Sequence, residues 1–453
     1  MYLIKKIFSV SCLVLSIFII TYVFYKSQIY WNGENNSYYL FYHVASISFF
    51  IFSVLLFLLK GEAKTYLIIM VISSFLSIYL VEVYLIYKSE IIEQKRIELK
   101  KKIYKDQTGD DYDTRDVFEV YNNLKDKDKN IVVGSYPRAN INYFNQNNEI
   151  FFPLSGISNT DTIYCNENGY MSIDQTDRFG FNNPDKEWDS KVIDYLIIGD
   201  SLAQGACVNR PNDITSAMRS ISNKNAINLG YGGNGPLIEY ATLKEYLPPK
   251  VKNIFWLYSE WNDLENIETE KQSKILKKYL QDENFSQNLK SKQSEINKIT
   301  LKIIEKEKEK KIDLSKNFQL FKIKNFIKLR KVRTVLNKYL PEEYQPKLQA
   351  PKKLQDDFKK IMILVKNLAQ KNNSNLYFVY MPEYNRYLDN YNEDTFLVVK
   401  NIINEIGIPF VDINKEVFEK EKNPLKLFPF EMPGHYNSEG YKKISNVLYK
   451  ISR

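Results

Sequence analysis

Three long apolar runs dominate the start of the chain. Residues 7–25 and 38–59 contain no Asp, Glu, Lys or Arg, and residues 65–87 contain one such side chain, Glu82. Each run is long enough to cross a bilayer as a helix, which needs about 20 residues. A cleaved signal peptide explains one such run but not three in series. The pattern therefore predicts a membrane region over residues 1–88 that contains three transmembrane helices.

The basic residues around these runs give two opposing indications of orientation. Two lysines precede the first run and two lie between the second and third, whereas the first loop holds only Lys26. By the positive-inside rule, this pattern puts the rest of the chain outside the cytoplasm. Seven Lys or Arg side chains between residues 88 and 105 argue for the opposite side. We expect a multi-pass membrane protein with an extracytoplasmic soluble domain, although residues 88–105 fit a helix along lipid headgroups on either side.

Beyond the membrane region, the pattern changes to short apolar strands that alternate with helices. Charged residues at helical spacing predict a juxtamembrane stalk over residues 89–130. Strands are predicted at residues 195–198, 226–229, 253–258, 376–380 and 409–413. Buried apolar strands separated by helices indicate a parallel sheet with helices on both faces. The sequence thus predicts an α/β domain over residues 131–453.

Two further stretches complete the predicted organisation. Residues 150–152 and 169–173 suggest short strands and turns before the main sheet. Between the third and fourth strands, about residues 269–347 are rich in Lys and Glu, have a helical pattern and contain few Gly or Pro. We interpret this stretch as a solvated helical insertion, and an amphipathic helix at residues 354–370 follows it.

Charge and cysteine content exclude several classes of function. The net charge is +9, but basic and acidic residues are interleaved, so no compact basic face for nucleic acid is predicted. Cys12 lies in the first apolar run, and no C-x-x-C motif is present, which argues against a thiolate metal site. Cys165 and Cys207 form a disulfide if the domain lies outside the cytoplasm, or else remain two separate buried thiols.

Chemistry-bearing residues follow successive predicted strands. The first strand ends at Gly199-Asp200-Ser201, where a serine at a helix N-terminus meets the ligand-binding edge of a parallel sheet. Glycines 230, 232 and 233 follow the second strand and allow close backbone approach. Asn262 and Asp263 follow the third strand, and Asp263 is suited to bracing that loop. His435 precedes the final helix and is the one histidine outside the apolar runs, which makes it the candidate base for a serine nucleophile.

This ordered set resembles the SGNH hydrolase superfamily, also called GDSL-like. The resemblance covers roughly residues 195–452 and rests on GDSL at 199–202, GYGGN at 230–234, WND at 261–263 and GHYN at 434–437. It implies a three-layer α/β/α fold of the flavodoxin type. It also implies that Ser201 is the nucleophile and His435 the general base. The oxyanion donors implied are the backbone N–H groups of Ser201 and Gly233 and the side chain of Asn262.

Two departures from that family's pattern matter for activity. Glu260 stands where the family usually has Gly, two residues before Asn262, and Trp261 follows it. The family's acid normally stands two or three residues before the histidine, but Pro433 and Met432 hold those places. Glu431 is our first candidate to orient His435. Asp177 and Asp412 are alternatives, and a Ser–His dyad held by a backbone carbonyl is also consistent with the sequence.

The function predicted from these residues is serine-dependent hydrolysis of an acyl ester. The resemblance implies a cell-envelope substrate, since membrane-bound relatives remove acyl groups from surface polysaccharides or transfer them. The expected partners are therefore the lipid bilayer and an acylated glycan or small ester, and no cofactor or metal is required. O-acyl transfer to a surface polysaccharide is the alternative chemistry. A non-catalytic membrane scaffold that keeps the fold is the alternative from another class; the sequence does not predict an oligomeric state.

Overall fold

The computed structural model describes residues 2–33, 35–147, 150–260, 263–339, 350–388 and 391–453, with the backbone alone at residues 2, 310–321 and 338. The chain divides into two compact units. The first, here called the helical unit, comprises Met1–Glu98 and Lys311–Lys352. The second, the α/β unit, comprises Leu99–Lys310 and Lys353–Arg453.

Helices occur throughout both units. The α-helices are α1 (Tyr2–Phe24), α2 (Asn36–Leu58), α3 (Gly61–Thr108), α4 (Val117–Leu124), α5 (Ile141–Gln146), α6 (Ser201–Gln204), α7 (Ile214–Ser222), α8 (Pro236–Tyr246), α9 (Asp263–Glu270), α10 (Lys274–Gln281), α11 (Gln293–Ile327), α12 (Arg330–Tyr339), α13 (Lys352–Lys371), α14 (Asp394–Ile406), α15 (Ile413–Glu416) and α16 (Ser438–Ile451).

The strands form two sheets within the α/β unit. They are β1 (Ile131–Val133), β2 (Asp161–Ile163), β3 (Ile173–Gln175), β4 (Ile193–Gly199), β5 (Ala226–Asn228), β6 (Val251–Ser259), β7 (Asn375–Met381) and β8 (Phe410–Asp412).

The helical unit contains the three predicted apolar helices. The helical stretches Leu3–Tyr30, Asn36–Leu58 and Gly61–Thr108 are long and apolar enough to cross a membrane. Many of their large apolar side chains are exposed, including Phe18, Phe41 and Leu76. In water such exposure is costly, whereas hydrocarbon solvates these side chains. Length, composition and exposure therefore agree with a membrane region.

The main sheet has strand order β5-β4-β6-β7-β8, and every pairing in it is parallel. In chain order this is 2-1-3-4-5, the order of flavodoxin-like doubly wound folds. The order reverses between β4 and β6, so the crevice at their carboxyl ends is the expected ligand site. The predicted α/β fold with a parallel sheet is confirmed, and each of the five strands predicted for this sheet overlaps an observed one.

Helices cover both faces of this sheet. On one face, Tyr195, Ile197 and Leu257 share a buried core with Met218 of α7 and Ile444 of α16. The opposite face packs on α13 and α14, and its aromatic contacts are Tyr258 with Phe358 and Tyr380 with Phe396. Apolar residues on both sides of each strand explain why the strands read as continuous apolar runs in the sequence.

A three-stranded sheet lies outside the main one, with β1 parallel to β2 and β2 antiparallel to β3. Helix α4, which is capped by Asp116, packs Val120 against Ile131 and Ile163 of this sheet. Residues 150–152, predicted as a short strand, are not in a strand. The compact units also divide the chain differently from the predicted boundaries, because 99–130 of the predicted stalk belong to the α/β unit and 311–347 of the predicted insertion to the helical unit.

Candidate active site

Ser201 lies at the expected crevice, directly after β4. Asp200 caps α6, since its carboxylate accepts the Leu202 N–H at 2.9 Å. The chain turns sharply here, and a Cβ at Gly199 would lie 2.5 Å from the Leu257 carbonyl oxygen of the neighbouring strand. Only glycine fits that approach. The local sequence thus presents the Ser201 hydroxyl at the sheet edge and the start of a helix.

His435 meets Ser201 from the other end of the chain. His435 Nε2 lies 2.8 Å from Ser201 Oγ, although 234 residues separate the two. Asn437 caps α16, and the Tyr436 hydroxyl donates to the Pro382 carbonyl at 2.5 Å, which fixes the segment that carries the imidazole. The structure therefore brings the candidate nucleophile and the candidate base into hydrogen-bond contact.

Glu167 holds the other side of the imidazole. Its carboxylate oxygens lie 3.0 and 3.1 Å from His435 Nδ1, and one of them accepts the His435 backbone N–H at 2.6 Å. A carboxylate at Nδ1 keeps the proton there, so that Nε2 is free to accept from the serine hydroxyl. Ser201, His435 and Glu167 form a continuous hydrogen-bonded series.

This geometry corrects the prediction that Glu431 orients His435. The Glu431 carboxylate accepts from Asn423 Nδ2 at 3.0 Å, on the surface. Glu431 itself has a left-handed backbone, with φ of 55°, in the turn before His435. The series Ser201–His435–Glu167 also removes the need for a dyad held by a backbone carbonyl.

The two alternative acids are engaged elsewhere as well. Asp177 is fully buried and accepts from Asn183 and Trp188, so it organises its own loop. Burial raises the pKa of Asp177 to about 6. Asp412 caps α15 by accepting from the Lys415 N–H. Neither is the carboxylate that contacts His435.

Opposing effects set the pKa of the imidazole. Burial lowers the pKa of His435, but the hydrogen bond and negative charge of Glu167 outweigh it, and the net pKa is raised above 6.5. For Glu167, burial raises the pKa, while the hydrogen bonds and charge of His435 and the charge of Lys100 lower it, and the net pKa is lowered. The pair therefore favours an ionised Glu167 beside an imidazole that readily accepts a proton.

Gly233 borders the same site. Its φ of +72° is left-handed, which favours glycine, and its carbonyl accepts from Arg138 Nε. Among the residues that the structure describes, the Gly233 N–H has no hydrogen-bond acceptor, whereas the Gly232 N–H donates to Gln204. Arg138 was not predicted as a site residue, and nothing in its local sequence marks it.

After β6, the third strand in chain order of the main sheet, only Asp263 of the WND motif at 261–263 is among the described residues. Asn262, the predicted side-chain donor, lies outside the described residues, as does Trp261. Asp263 is described and braces the loop, because its carboxylate accepts the Ser259 N–H at 2.7 Å. Burial raises the pKa of Asp263 well above its usual value, and the charge of Asp200 raises it further.

Glu260, the departure from the family's glycine, is part of a buried charge network. Its carboxylate pairs with Arg386, whose side chain is 6% exposed, and Glu260 is itself 3% exposed. The carboxylate also accepts from the hydroxyls of Tyr380 and Tyr391 and from the Glu383 N–H. The residue is structural, and it does not enter the pocket beside Ser201.

Cys165 and Cys207 form a disulfide in the structure. The bond links the turn between β2 and β3, which carries Glu167, to the chain just after α6, which begins at Ser201. The Asn168 side chain adds to this connection by donating to the Cys207 carbonyl at 2.9 Å. The disulfide therefore links the turn that carries Glu167 to the segment that follows Ser201.

Two pockets meet at Ser201. The larger pocket, about 600 Å³, includes Tyr136, Arg138, Asn142 and Thr269 in its walls. The smaller pocket, about 230 Å³, has mainly apolar walls that include Tyr384 and Phe428. Both pockets are lined by Ser201, Gly233 and His435. A substrate that spans the reacting centre can place one part in each.

One group of potential metal ligands lies in the larger pocket. Atoms of Glu167, Cys207 and His435 lie within 4.8 Å of one another. However, the Cys207 sulfur is in a disulfide, so it offers no thiolate, and Glu167 is already bonded to His435 Nδ1. This donor set does not fit a metal ion.

The fold and site together define an α/β protein with a Ser–His–Glu arrangement at the crevice of a parallel sheet. No protein-family model matches the chain, and a search of curated proteins finds no match. A solved structure described as a lipolytic protein of the G-D-S-L family from Desulfitobacterium hafniense DCB-2 matches with a TM-score of 0.30 and 10% identity, over 57% of this chain and 98% of that one. An acetyl xylan esterase, AlAXEase, matches with a TM-score of 0.30 and 11% identity, over 57% of this chain and 99% of that one.

Proposed function

We propose that this protein is a serine-dependent hydrolase of acyl esters. Ser201 Oγ attacks the ester carbonyl carbon while His435 Nε2 takes the hydroxyl proton. Glu167 holds the imidazole and stabilises its charged form, without taking its proton. The 2.8 Å contact between Ser201 and His435, backed by Glu167 at Nδ1, is the observation that carries the proposal.

The tetrahedral intermediate carries a negative charge on the former carbonyl oxygen. The proposed donors to it are the backbone N–H groups of Ser201 and Gly233 and the side chain of Asn262. Gly233 borders both pockets, and its N–H donates to none of the described residues, which supports its part in this set. Arg138, which donates to the Gly233 carbonyl, is a positioning residue for that loop.

The intermediate then collapses and expels the alcohol, which receives the proton from His435. Water attacks the acyl-Ser201 ester next, with His435 again taking a proton, and releases the acid. When a sugar hydroxyl replaces water, the same acyl-enzyme performs O-acyl transfer. The two pockets support a substrate with separate acyl and alcohol parts, and the proposed substrate is an acylated cell-surface glycan or a similar ester.

The scaffold alternative has less support. A non-catalytic descendant of the fold has no need to keep its serine and histidine within hydrogen-bond reach. Here the contact is 2.8 Å, and a carboxylate completes the series. The unusual Glu260 also has a structural explanation in its pairing with Arg386.

The α/β unit is proposed to face an oxidising compartment outside the cytoplasm. The Cys165–Cys207 disulfide supports this side, since such bonds persist in oxidising surroundings. Alkylation of thiols in freshly isolated membranes tests it. The proposed orientation requires both cysteines to react only after reduction, and immediate alkylation of both contradicts it.

The test of the chemistry is detection of the acyl-enzyme. The full chain, purified in detergent, is mixed with p-nitrophenyl acetate and quenched in acid, and peptides are analysed by mass spectrometry. We expect an added acetyl group on the peptide containing Ser201, and none in Ser201→Ala. Ser220→Ala, on α7, is the matched control and should behave as wild type. Equal turnover by Ser201→Ala overturns the proposal.

Product analysis with an acceptor sugar present distinguishes the two acyl chemistries. If all of the acetyl group appears as free acetate, the reaction is hydrolysis. Acetylated sugar that forms at the expense of acetate indicates transfer. Both outcomes require the same acyl-Ser201 intermediate.

A further inference from the structure

Within the helical unit, part of the Lys-rich insertion docks on the apolar helices. The end of α11 contacts α3, where the rings of Phe326 and Tyr79 lie 5.0 Å apart. The Tyr79 hydroxyl also donates to the Ile327 carbonyl at 3.0 Å. The predicted insertion is therefore more than a solvated arm: residues 322–339, here called the docked segment, pack against a helix long and apolar enough to span a membrane.

Glu82 fixes the start of the next helix. It is the one acid in the third apolar run, and it is buried. Its two carboxylate oxygens accept the N–H groups of Lys331 and Val332 at 3.0 and 2.7 Å. These are first-turn N–H groups of α12, which have no partner within the helix. A carboxylate in the apolar helix thus caps α12 and holds it in place.

A cationic pocket of about 250 Å³ lies on the docked segment. Its walls contain three cations, Lys328, Arg330 and Arg333, together with Asn325, Thr334 and Asn337. Arg333 lies close enough to Tyr38 and Tyr42, at the start of α2, for their hydroxyls to interact with its guanidinium. Within the described part of the chain, none of the three cations forms an ion pair with a carboxylate. Three positive charges that no described carboxylate pairs with, around one small polar pocket, favour an anionic ligand.

The docked segment also exposes apolar and aromatic side chains outside the pocket walls. Ile327, Leu336 and Tyr339 of the docked segment are 62%, 54% and 82% exposed. Tyr38 and Tyr42 lie in the first turns of α2, at one end of an apolar span. Tyrosine is enriched at the membrane–water interface. An amphipathic helix with basic residues on one face and apolar residues on the other typically lies in this interface.

We propose that the docked segment lies in the headgroup layer of the membrane and binds the phosphate of an anionic lipid in the pocket formed by Lys328, Arg330 and Arg333. The ammonium and guanidinium groups contact the phosphate oxygens. The exposed apolar side chains enter the acyl boundary. Glu82 holds in place the helix that carries Arg330 and Arg333. Free phosphate shares the ligand chemistry but leaves the apolar side chains in water, and for this reason the lipid is the proposed source.

The test uses the full chain in a neutral detergent, with lipid binding counted by native mass spectrometry. Wild type should bind phosphatidylglycerol more tightly than zwitterionic phosphatidylcholine. The variant Lys328→Gln/Arg330→Gln should bind phosphatidylglycerol roughly 30-fold more weakly, which corresponds to about 2 kcal/mol for two cations near an anionic headgroup. The matched control is Lys274→Gln/Lys277→Gln on α10, which removes the same charge from exposed positions and should bind as wild type.

A second measurement needs no variant. Raising the salt concentration should weaken phosphatidylglycerol binding to wild type, because exposed charges are screened, and should leave phosphatidylcholine binding unchanged. Equal affinity for the two lipids overturns the proposal, as does unchanged binding by a folded Lys328→Gln/Arg330→Gln. If inorganic phosphate alone binds as tightly as phosphatidylglycerol and displaces it, the ligand is a soluble anion and the lipid assignment is wrong.

Discussion

At the scale of single residues, the proposed chemistry requires two properties of the His435 imidazole. It must be neutral to accept the Ser201 proton, and it must be stabilised once charged. Burial works against the charged form, and Glu167 favours it strongly enough to raise the pKa of His435 above its usual value. The activity should therefore depend on pH through this one group.

We predict that kcat/KM rises with pH through a midpoint above about 6.5 and then levels off, because only the neutral imidazole accepts a proton. In Glu167→Gln the raising effect is lost, so the midpoint moves to lower pH. The plateau rate should also fall by about 10²- to 10⁴-fold, by analogy with triads that lose their acid. Steady-state hydrolysis of a p-nitrophenyl ester between pH 5 and 9 measures both quantities.

Glu431→Gln is the matched control for this prediction. It removes the same charge close to His435 in sequence, but its carboxylate contacts Asn423 instead. The control should keep the wild-type midpoint and rate. If Glu431→Gln shifts the profile and Glu167→Gln does not, the assignment of the orienting acid is wrong.

The sequence could predict Ser201 and His435 but not Glu167. The first two follow recognisable strand ends or precede a helix, in an order that indicates their chemistry. Glu167 lies 268 residues before His435 and in a turn outside the main sheet. Proximity along the chain favoured Glu431, and only the folded chain shows which carboxylate reaches the ring.

Glu260 permits a prediction about stability. Glu260→Ala leaves the Arg386 guanidinium buried without its carboxylate, which costs about 3–5 kcal/mol for a buried pair. We expect the thermal unfolding midpoint of the detergent-solubilised protein to fall by roughly 10 °C. Glu416→Ala, which breaks an exposed pair with Lys420, should change it by less than about 2 °C. Equal midpoints for the two variants contradict a structural role for Glu260.

At the scale of elements, the turn between β2 and β3 is the part that completes the site. It carries Cys165 and Glu167, and the disulfide ties it to the chain after α6. The Asn166 side chain also donates to the Asp113 carbonyl at 2.7 Å. The turn depends on these links, because β2 and β3 are only three residues long.

Removal of the disulfide should therefore affect both stability and activity. For Cys165→Ser/Cys207→Ser we expect a loss of about 2–4 kcal/mol in stability, since the bond closes a loop across a separation of 42 residues. The proposed esterase activity should fall as well, because Glu167 is less firmly held against His435. Thermal unfolding and kcat/KM measure the two effects.

Cys12→Ser is the control, since Cys12 is a free thiol in the first apolar helix. It should leave unfolding and activity unchanged. Full activity and an unchanged unfolding midpoint in Cys165→Ser/Cys207→Ser would show that the disulfide does not position the acid.

The strands of the main sheet were predictable, whereas in the small sheet only the start of β3, at the end of the predicted stretch 169–173, was indicated. Residues such as Leu196, Ile197 and Ile198 are buried on both faces, so they form continuous apolar runs. The strands of the small sheet are only three residues long, which is too short to form a recognisable apolar run. The prediction of a strand at residues 150–152 failed for this reason, since a few apolar residues can be buried without any strand pairing.

At the scale of the whole molecule, the chain combines a helical unit suited to a membrane with an α/β unit that carries the Ser201–His435–Glu167 series. The apolar runs were predictable by length alone. The packing of residues 322–339 in the helical unit was not, because their Lys-rich sequence reads as solvated surface. The signal that could have indicated it was Glu82, whose charge in an apolar run requires a partner.

The proposed chemistry depends on Ser201 as a nucleophile that His435 activates. The most direct measurement is labelling of the full-length protein with a fluorophosphonate probe, followed by mass spectrometry of its peptides. We expect one phosphonate adduct on Ser201, no adduct in Ser201→Ala and much slower labelling in His435→Gln. Labelling of Ser201→Ala at the wild-type rate, or equally fast labelling of His435→Gln, would rule out Ser201 as a nucleophile activated by His435.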